Sequence, residues 1–112
     1  MSCRVTGAME GTLFQVETRE DDGQHVIALA GELDIAGAGE FEDAAAAALR
    51  AGGPVTIDLS ALEFIDSSGL RVLLAFHKAS LRDGLDYTVL PGPPQVHRAF
   101  VLCGLDQALP FA

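Results

Sequence analysis

Apolar and polar residues alternate near the start of the chain in the way that β-strands require. Residues 12–18 (TLFQVET) show a two-residue period, and residues 25–31 (HVIALAG) form a continuous, β-branched apolar run typical of a strand buried on both faces. The short connection between them contains Gly23, so the pattern predicts an antiparallel hairpin. Residues 1–11 are weakly patterned and predict a loose leader.

Helical periodicity replaces this alternation over most of the remaining chain. Ile35 opens an apolar stripe that continues into five consecutive alanines, which are strong helix formers. A second stripe runs from Leu70 to Leu81 at helical spacing and includes His77, which is predicted to lie in the core or at its boundary. The predicted helices lie within residues 31–53 and 67–81 and, after a rigid turn at 91–94, within 95–103, and the predicted strands between them at 54–59 and 86–90.

This order of elements predicts an α/β fold with one small mixed sheet packed by helices. The order is ββαβαβα, with a final strand in residues 105–112 left open. Strands that alternate with helices pair in parallel through right-handed crossovers. A chain of 112 residues has room for one domain, which we place at residues 12–112 after a leader at 1–11.

Charge and composition exclude several classes of function. Sixteen acidic residues against seven basic ones argue against nucleic acid or an anionic membrane as the partner. No apolar run is long enough to insert into a membrane, and no secretory signal opens the chain, so a cytoplasmic protein is expected. Cys3 and Cys103 predict two reduced thiols, the second packed in the core. Three scattered histidines support no metal site, and no cofactor is predicted.

One segment, residues 58–70 (DLSALEFIDSSGL), carries the candidate chemistry. It predicts a strand end, a connector and a helix that starts at Asp66-Ser67-Ser68-Gly69. Asp and Ser are preferred N-caps, but capping explains only one or two of these four residues. Two hydroxyls on an exposed turn, beside a glycine that lowers crowding, are accessible, and a helix N-terminus tolerates an added phosphate. Capping does not rank the two serines as acceptors.

In this segment and in residues 31–34 (GELD), the chain resembles bacterial anti-sigma-factor antagonists, which are single STAS domains. The resemblance extends over most of residues 12–111 and implies a partner-switching module rather than an enzyme. In such proteins the unphosphorylated domain binds an anti-sigma factor that is also a serine kinase, which releases the sigma factor. The kinase then phosphorylates the antagonist and switches binding off, and a metal-dependent serine phosphatase reverses the modification.

Carried over by position, the resemblance makes Ser67 the phosphoacceptor. Asp66, Ser68 and Gly69 are its neighbours in the turn, with Gly69 as the permissive residue, and Asp34 is expected close to that turn. Together these five residues form the expected partner-binding switch turn. Nothing in the sequence demands more than a monomer.

Two rival functions remain open at this point. The first is a STAS-like scaffold or regulatory subunit that binds partners without phosphorylation. The second is an enzyme, but the chain lacks the GxSxG elbow of hydrolases and the glycine-rich loops that hold phosphates. Asp58 and Asp66 as paired catalytic carboxylates are explained more simply by a strand end and an N-cap. An enzyme requires a deep pocket at the turn, whereas a switch requires an exposed Ser67.

Overall fold

The computed structural model describes residues 3–7 and 14–112, which form one five-stranded sheet and three helices. The strands are β1 (Cys3–Gly7), β2 (Gln15–Asp21), β3 (Gln24–Leu33), β4 (Val55–Ile65) and β5 (Tyr87–Leu90). The helices are α1 (Ile35–Ala51), α2 (Ser67–Asp83) and α3 (Pro94–Leu102). The predicted α/β class, with one small mixed sheet and three helices, is confirmed.

The sheet follows the chain, with strand order β1-β2-β3-β4-β5. The first three strands form an antiparallel meander, whereas β3, β4 and β5 are parallel. Parallel neighbours require crossovers, which α1 and α2 provide, and crossovers of one hand place both helices on the same face of the sheet. Ile27, Ile57 and Val89 lie in one row across the parallel strands and are fully buried.

Small residues let α1 lie close to the sheet. Ala45 and Ala48 are buried on the inner face of this helix, one turn apart, and Phe41 fills the space before them. Gly37 faces the ring of Phe14, which is itself fully buried. The alanine-rich sequence of α1 therefore serves close packing as well as helix formation.

The start of the chain differs from the prediction. Cys3–Gly7 pairs with β2 as an edge strand, so the leader predicted over residues 1–11 is partly a strand and the hairpin becomes a three-stranded meander. Residues 1–2 and 8–13 lie outside the described part of the chain. An edge strand is held by backbone hydrogen bonds, which nearly every residue type can make, so weak side-chain patterning does not exclude one.

The fourth strand is longer than the sequence indicates. The prediction ended this strand at residue 59 and assigned a connector up to the helix, but β4 continues to Ile65. Its pairing with β3 shifts register twice, and each shift inserts an extra residue into β4. Leu59, Leu62 and Ile65 are consequently the buried residues, and their three-residue spacing hides the two-residue period of a strand.

The C-terminal third contains one wrong prediction. Cys103 is exposed at the C-cap of α3 and does not pack in the core, because the helix buries only Val96 and Phe100 and then turns away at Gly104, where φ is 75°. The final strand left open by the sequence is a single parallel bridge between Phe111 and Val89.

His77 lies half-buried at the edge of the core, as predicted. Its Nδ1 atom is 2.8 Å from the hydroxyl of Tyr87. Burial raises the pKa of Tyr87, so the phenol stays protonated, and the tautomer of the imidazole decides which of the two groups donates. The contact gives the histidine a structural partner at the boundary of the core.

Two glycines of α1 provide a matched test of the close packing. We expect Gly37→Ala to lower the free energy of unfolding by about 1–3 kcal/mol, since the new Cβ would overlap the Phe14 ring. Gly39→Ala should raise it by about 0.5–1 kcal/mol, because its Cβ would meet nothing within 4 Å and alanine favours the helix. Urea unfolding of both variants measures the difference. Equal effects of the two substitutions would contradict the packing described.

Candidate functional site

The N-termini of α1 and α2 lie side by side at the C-terminal ends of the central strands β3 and β4. The last registered pair between β3 and β4 is Leu33 with Ile65, and the backbone N–H of Asp66 donates to the carbonyl of Leu33 at 3.0 Å. Asp34 and Asp66 each follow this pair directly. Because neighbouring strands lie about 4.8 Å apart, the starts of α1 and α2 are side by side. The structure thus brings Asp34 close to the predicted turn.

Both aspartates cap the helix that follows them. Oδ1 of Asp34 accepts from the N–H of Ala36 at 3.0 Å, and Oδ1 of Asp66 accepts from the N–H of Ser68 at 2.8 Å. Both residues have extended backbones, as N-cap residues do. Capping is therefore performed by carboxylates at both helices, and the serine hydroxyls are not needed for it.

Ser67 is exposed at the first position of α2, and among the described residues nothing bonds its hydroxyl. Ser68, the next residue, is half-buried. Three cavities among the described residues lie away from the turn, one between α1 and the β2–β3 hairpin and two near the C-terminal end of α2. The turn therefore presents an accessible serine on an open surface, which is the geometry that a switch requires.

Gly69 has a different role from the one expected. It is buried, and a Cβ there would lie 2.6 Å from Cδ2 of Leu33 and 2.9 Å from Cγ1 of Ile65. The glycine therefore does not open the exposed turn but lets α2 begin in contact with β3 and β4. Gly37 allows the same close approach at the start of α1. The repeated spacing, Asp-x-x-Gly at residues 34–37 and 66–69, is the sequence signal that the prediction did not use.

Ile35 is an exposed apolar residue beside the turn. The sequence placed it on the buried stripe of the first helix, but it occupies the first position of α1 and is 79% exposed. Phe64, opposite Glu32 near the end of β4, is 49% exposed. We call Asp34, Ile35, Asp66, Ser67 and Ser68 the switch surface, because they share the edge formed by the two helix starts.

Neither a cluster of metal-ligating side chains nor a membrane-spanning helix is present among the described residues. They contain no group of three or more His, Cys, Asp or Glu side chains placed to hold a metal ion. No helix within these residues is long and apolar enough to cross a membrane.

Comparison with known proteins identifies the class to which this fold and site belong. The family model described as "Mlab, STAS domain" matches residues 16–110. The chain is 31% identical to an anti-sigma F factor antagonist of Paenibacillus polymyxa over 87% of this chain and 85% of that protein. The chain thus belongs to the STAS domain family, among relatives that are anti-sigma-factor antagonists.

Solved structures agree with this assignment. An anti-sigma factor antagonist from Mycobacterium paratuberculosis superposes with a TM-score of 0.81 at 30% identity, covering 95% of this chain and 89% of that one. SpoIIAA, an anti-sigma factor antagonist, superposes in its unphosphorylated form with a TM-score of 0.69 at 28% identity over 88% and 87% of the two chains. SpoIIAA of Bacillus in its phosphorylated form superposes with a TM-score of 0.67 at 25% identity, covering 88% of this chain and 90% of that one.

The cap of α2 can be tested by its chemistry. We expect Asp66→Ala to lower the free energy of unfolding by about 1 kcal/mol, because the N–H of Ser68 loses its acceptor. Asp66→Asn should retain most of the stability, since an amide oxygen caps nearly as well. Urea unfolding measures both. If the two variants lose the same amount, the side chain of Asp66 does not cap α2.

Proposed function

We propose that this protein is an anti-sigma-factor antagonist that acts by partner switching. In its unphosphorylated form the switch surface binds an anti-sigma factor that is also a serine kinase, and the sigma factor is released. Phosphorylation of Ser67 by that kinase ends the binding. A metal-dependent serine phosphatase removes the phosphate and restores the active form.

The exposure of Ser67 carries this proposal. Its hydroxyl is free and accessible at the start of α2, while Asp34 and Asp66 perform the capping of the two helices. A kinase can therefore modify this serine without breaking a hydrogen bond of the fold. The relative SpoIIAA exists in phosphorylated and unphosphorylated forms, which supports the same chemistry in this chain.

A phosphate at this position affects the partner more than the fold. It adds about −1.5 to −2 charges at pH 7, and a helix N-terminus accommodates negative charge. At an interface the same charge stands beside the carboxylates of Asp34 and Asp66. A partner that docks over the turn has to bury this charge without a counter-ion, which costs several kcal/mol, and 3–4 kcal/mol weakens binding by roughly two to three decades. That loss is sufficient for an on–off switch.

The unphosphorylated surface combines an apolar contact with negative charge. Ile35 is exposed at the start of α1, directly after the Asp34 cap, and Glu32 and Glu63 near the strand ends are also exposed. A complementary partner face has an apolar depression for Ile35 and basic side chains opposite Glu32 and Glu63, with none over Ser67. Such a face would dock on Ile35, and the unmodified serine would not oppose this contact because its hydroxyl is uncharged.

Substitution of Ser67 tests the switch directly. We expect a pull-down with Ser67→Ala as bait to retain a kinase-like ATPase that Ser67→Asp does not retain. With the purified ATPase, Ser67→Asp should bind at least tenfold more weakly, since aspartate carries part of the charge of a phosphate. After incubation with this ATPase and ATP, peptide mapping should place phosphate on Ser67 and not on Ser68.

Ser60→Asp is the matched control, because Ser60 is an exposed serine outside the switch surface and receives the same charge. It should bind like the unmodified protein. If the Ser67→Ala and Ser67→Asp baits hold the same proteins, Ser67 does not gate binding. The phosphorylation-independent scaffold or regulatory subunit is then the better account.

Ile35 provides a second, independent test of the same surface. We expect Ile35→Ala to weaken binding of the purified ATPase about tenfold or more, since a central apolar anchor contributes at least 1–2 kcal/mol to an interface. Leu81→Ala is the control, because Leu81 is 70% exposed near the opposite end of α2. Isothermal titration compares the two. Equal affinity of both variants would remove Ile35 from the interface.

A further inference from the structure

Arg71 is an exposed basic residue one helical turn after Ser67. Residues four apart lie one above the other on a helix surface. Helical side chains lean towards the N-terminus, so the guanidinium of Arg71 has the length and direction to reach a group on Ser67. The chain has only seven basic residues against sixteen acidic ones, and one of these few basic residues stands one turn from the candidate phosphoacceptor.

The unmodified protein gives Arg71 no electrostatic partner. Among the described residues it forms no ion pair. A positive charge near a helix N-terminus is mildly unfavourable because it faces the positive end of the dipole. None of its helix neighbours at three or four residues is acidic, and these are Ser67, Ser68, Leu74 and Ala75.

We propose that Arg71 clamps the phosphate of phosphorylated Ser67 within the same helix. This inference rests on the proposed function, because it concerns the phosphorylated form of that site. A guanidinium binds two phosphate oxygens at once, which fixes the phosphate against α2 and neutralises part of its charge. The clamp competes with a phosphatase for the same oxygens and so lengthens the life of the switched-off form.

The test requires phosphoserine at position 67, installed during translation by a suppressor tRNA so that no kinase is needed. Phosphorus NMR then gives the second pKa of the phosphate in the parent, Arg71→Gln and Arg71→Lys proteins. We expect Arg71→Gln to raise this pKa by about 0.3–0.7, with Arg71→Lys between the two. The difference should shrink strongly at about 1 M salt, where surface charges are screened. The carboxylates of Asp34 and Asp66 act alike in every variant.

Arg82→Gln is the matched control, because it removes the same charge from an exposed position in the last turn of α2. It should leave the phosphate pKa unchanged. A non-specific metal-dependent phosphatase should release phosphate faster from the Arg71→Gln protein than from the Arg82→Gln protein.

Equal pKa values and equal release rates in those two variants would overturn the clamp. Because the phosphate is installed without the partner, this outcome is separable from failure of the proposed function. That failure would show as baits that retain the same proteins or as absence of kinase modification. Urea unfolding of the unphosphorylated Arg71→Gln protein should show a stability equal to or slightly above that of the parent, since Arg71 has no ion pair to lose and its charge faces the positive end of the helix dipole.

Discussion

The parallel pairing at the ends of β3 and β4 is the constraint on which the site depends. The pair of Leu33 with Ile65, closed by the hydrogen bond from Asp66 to Leu33, ends both strands at one level. Each chain then turns directly into a helix, so the two N-termini have no freedom to separate. Gly37 and Gly69 complete the arrangement, because their lack of a Cβ lets each helix begin in contact with the core.

Different residues perform the structural and the chemical tasks at the starts of α1 and α2. The aspartates accept the hydrogen bonds that the helix starts require, and the residues after them, Ile35 and Ser67, contribute little to the fold. A serine at the N-cap position would lose its hydrogen bond to the helix N-terminus when its hydroxyl was phosphorylated. At the first helical position it is free of that conflict, so the same fold accommodates both chemical states.

The sequence was a good guide to the elements and a weaker guide to their ends. Helix propensity and periodicity located α1, α2 and α3, and the Asp-Ser-Ser-Gly turn was found because capping preferences are local. The length of β4 was missed because its two bulges replace alternation by a three-residue spacing, a product of pairing with β3 that no single segment reveals. Ile35 was predicted to be buried because it continues the apolar stripe of α1. The stripe does not show that the first residue of this helix lies beyond the ends of the strands. The role of Gly69 was missed for a related reason. Its close contacts are with Leu33 on β3 and Ile65 at the end of β4, and the sequence does not show that these side chains lie next to the start of α2.

The exposure of Ile35 has a consequence for how such domains diversify. Residue 35 lies at the start of the helix next to the one that Ser67 begins and has almost no packing to lose, so its side chain can be exchanged with little effect on folding. Under the proposed function, the two adjacent helix starts separate the position that carries the phosphate from the position that contacts the partner. Domains of this shape would then differ in partner through residue 35 while keeping the same serine.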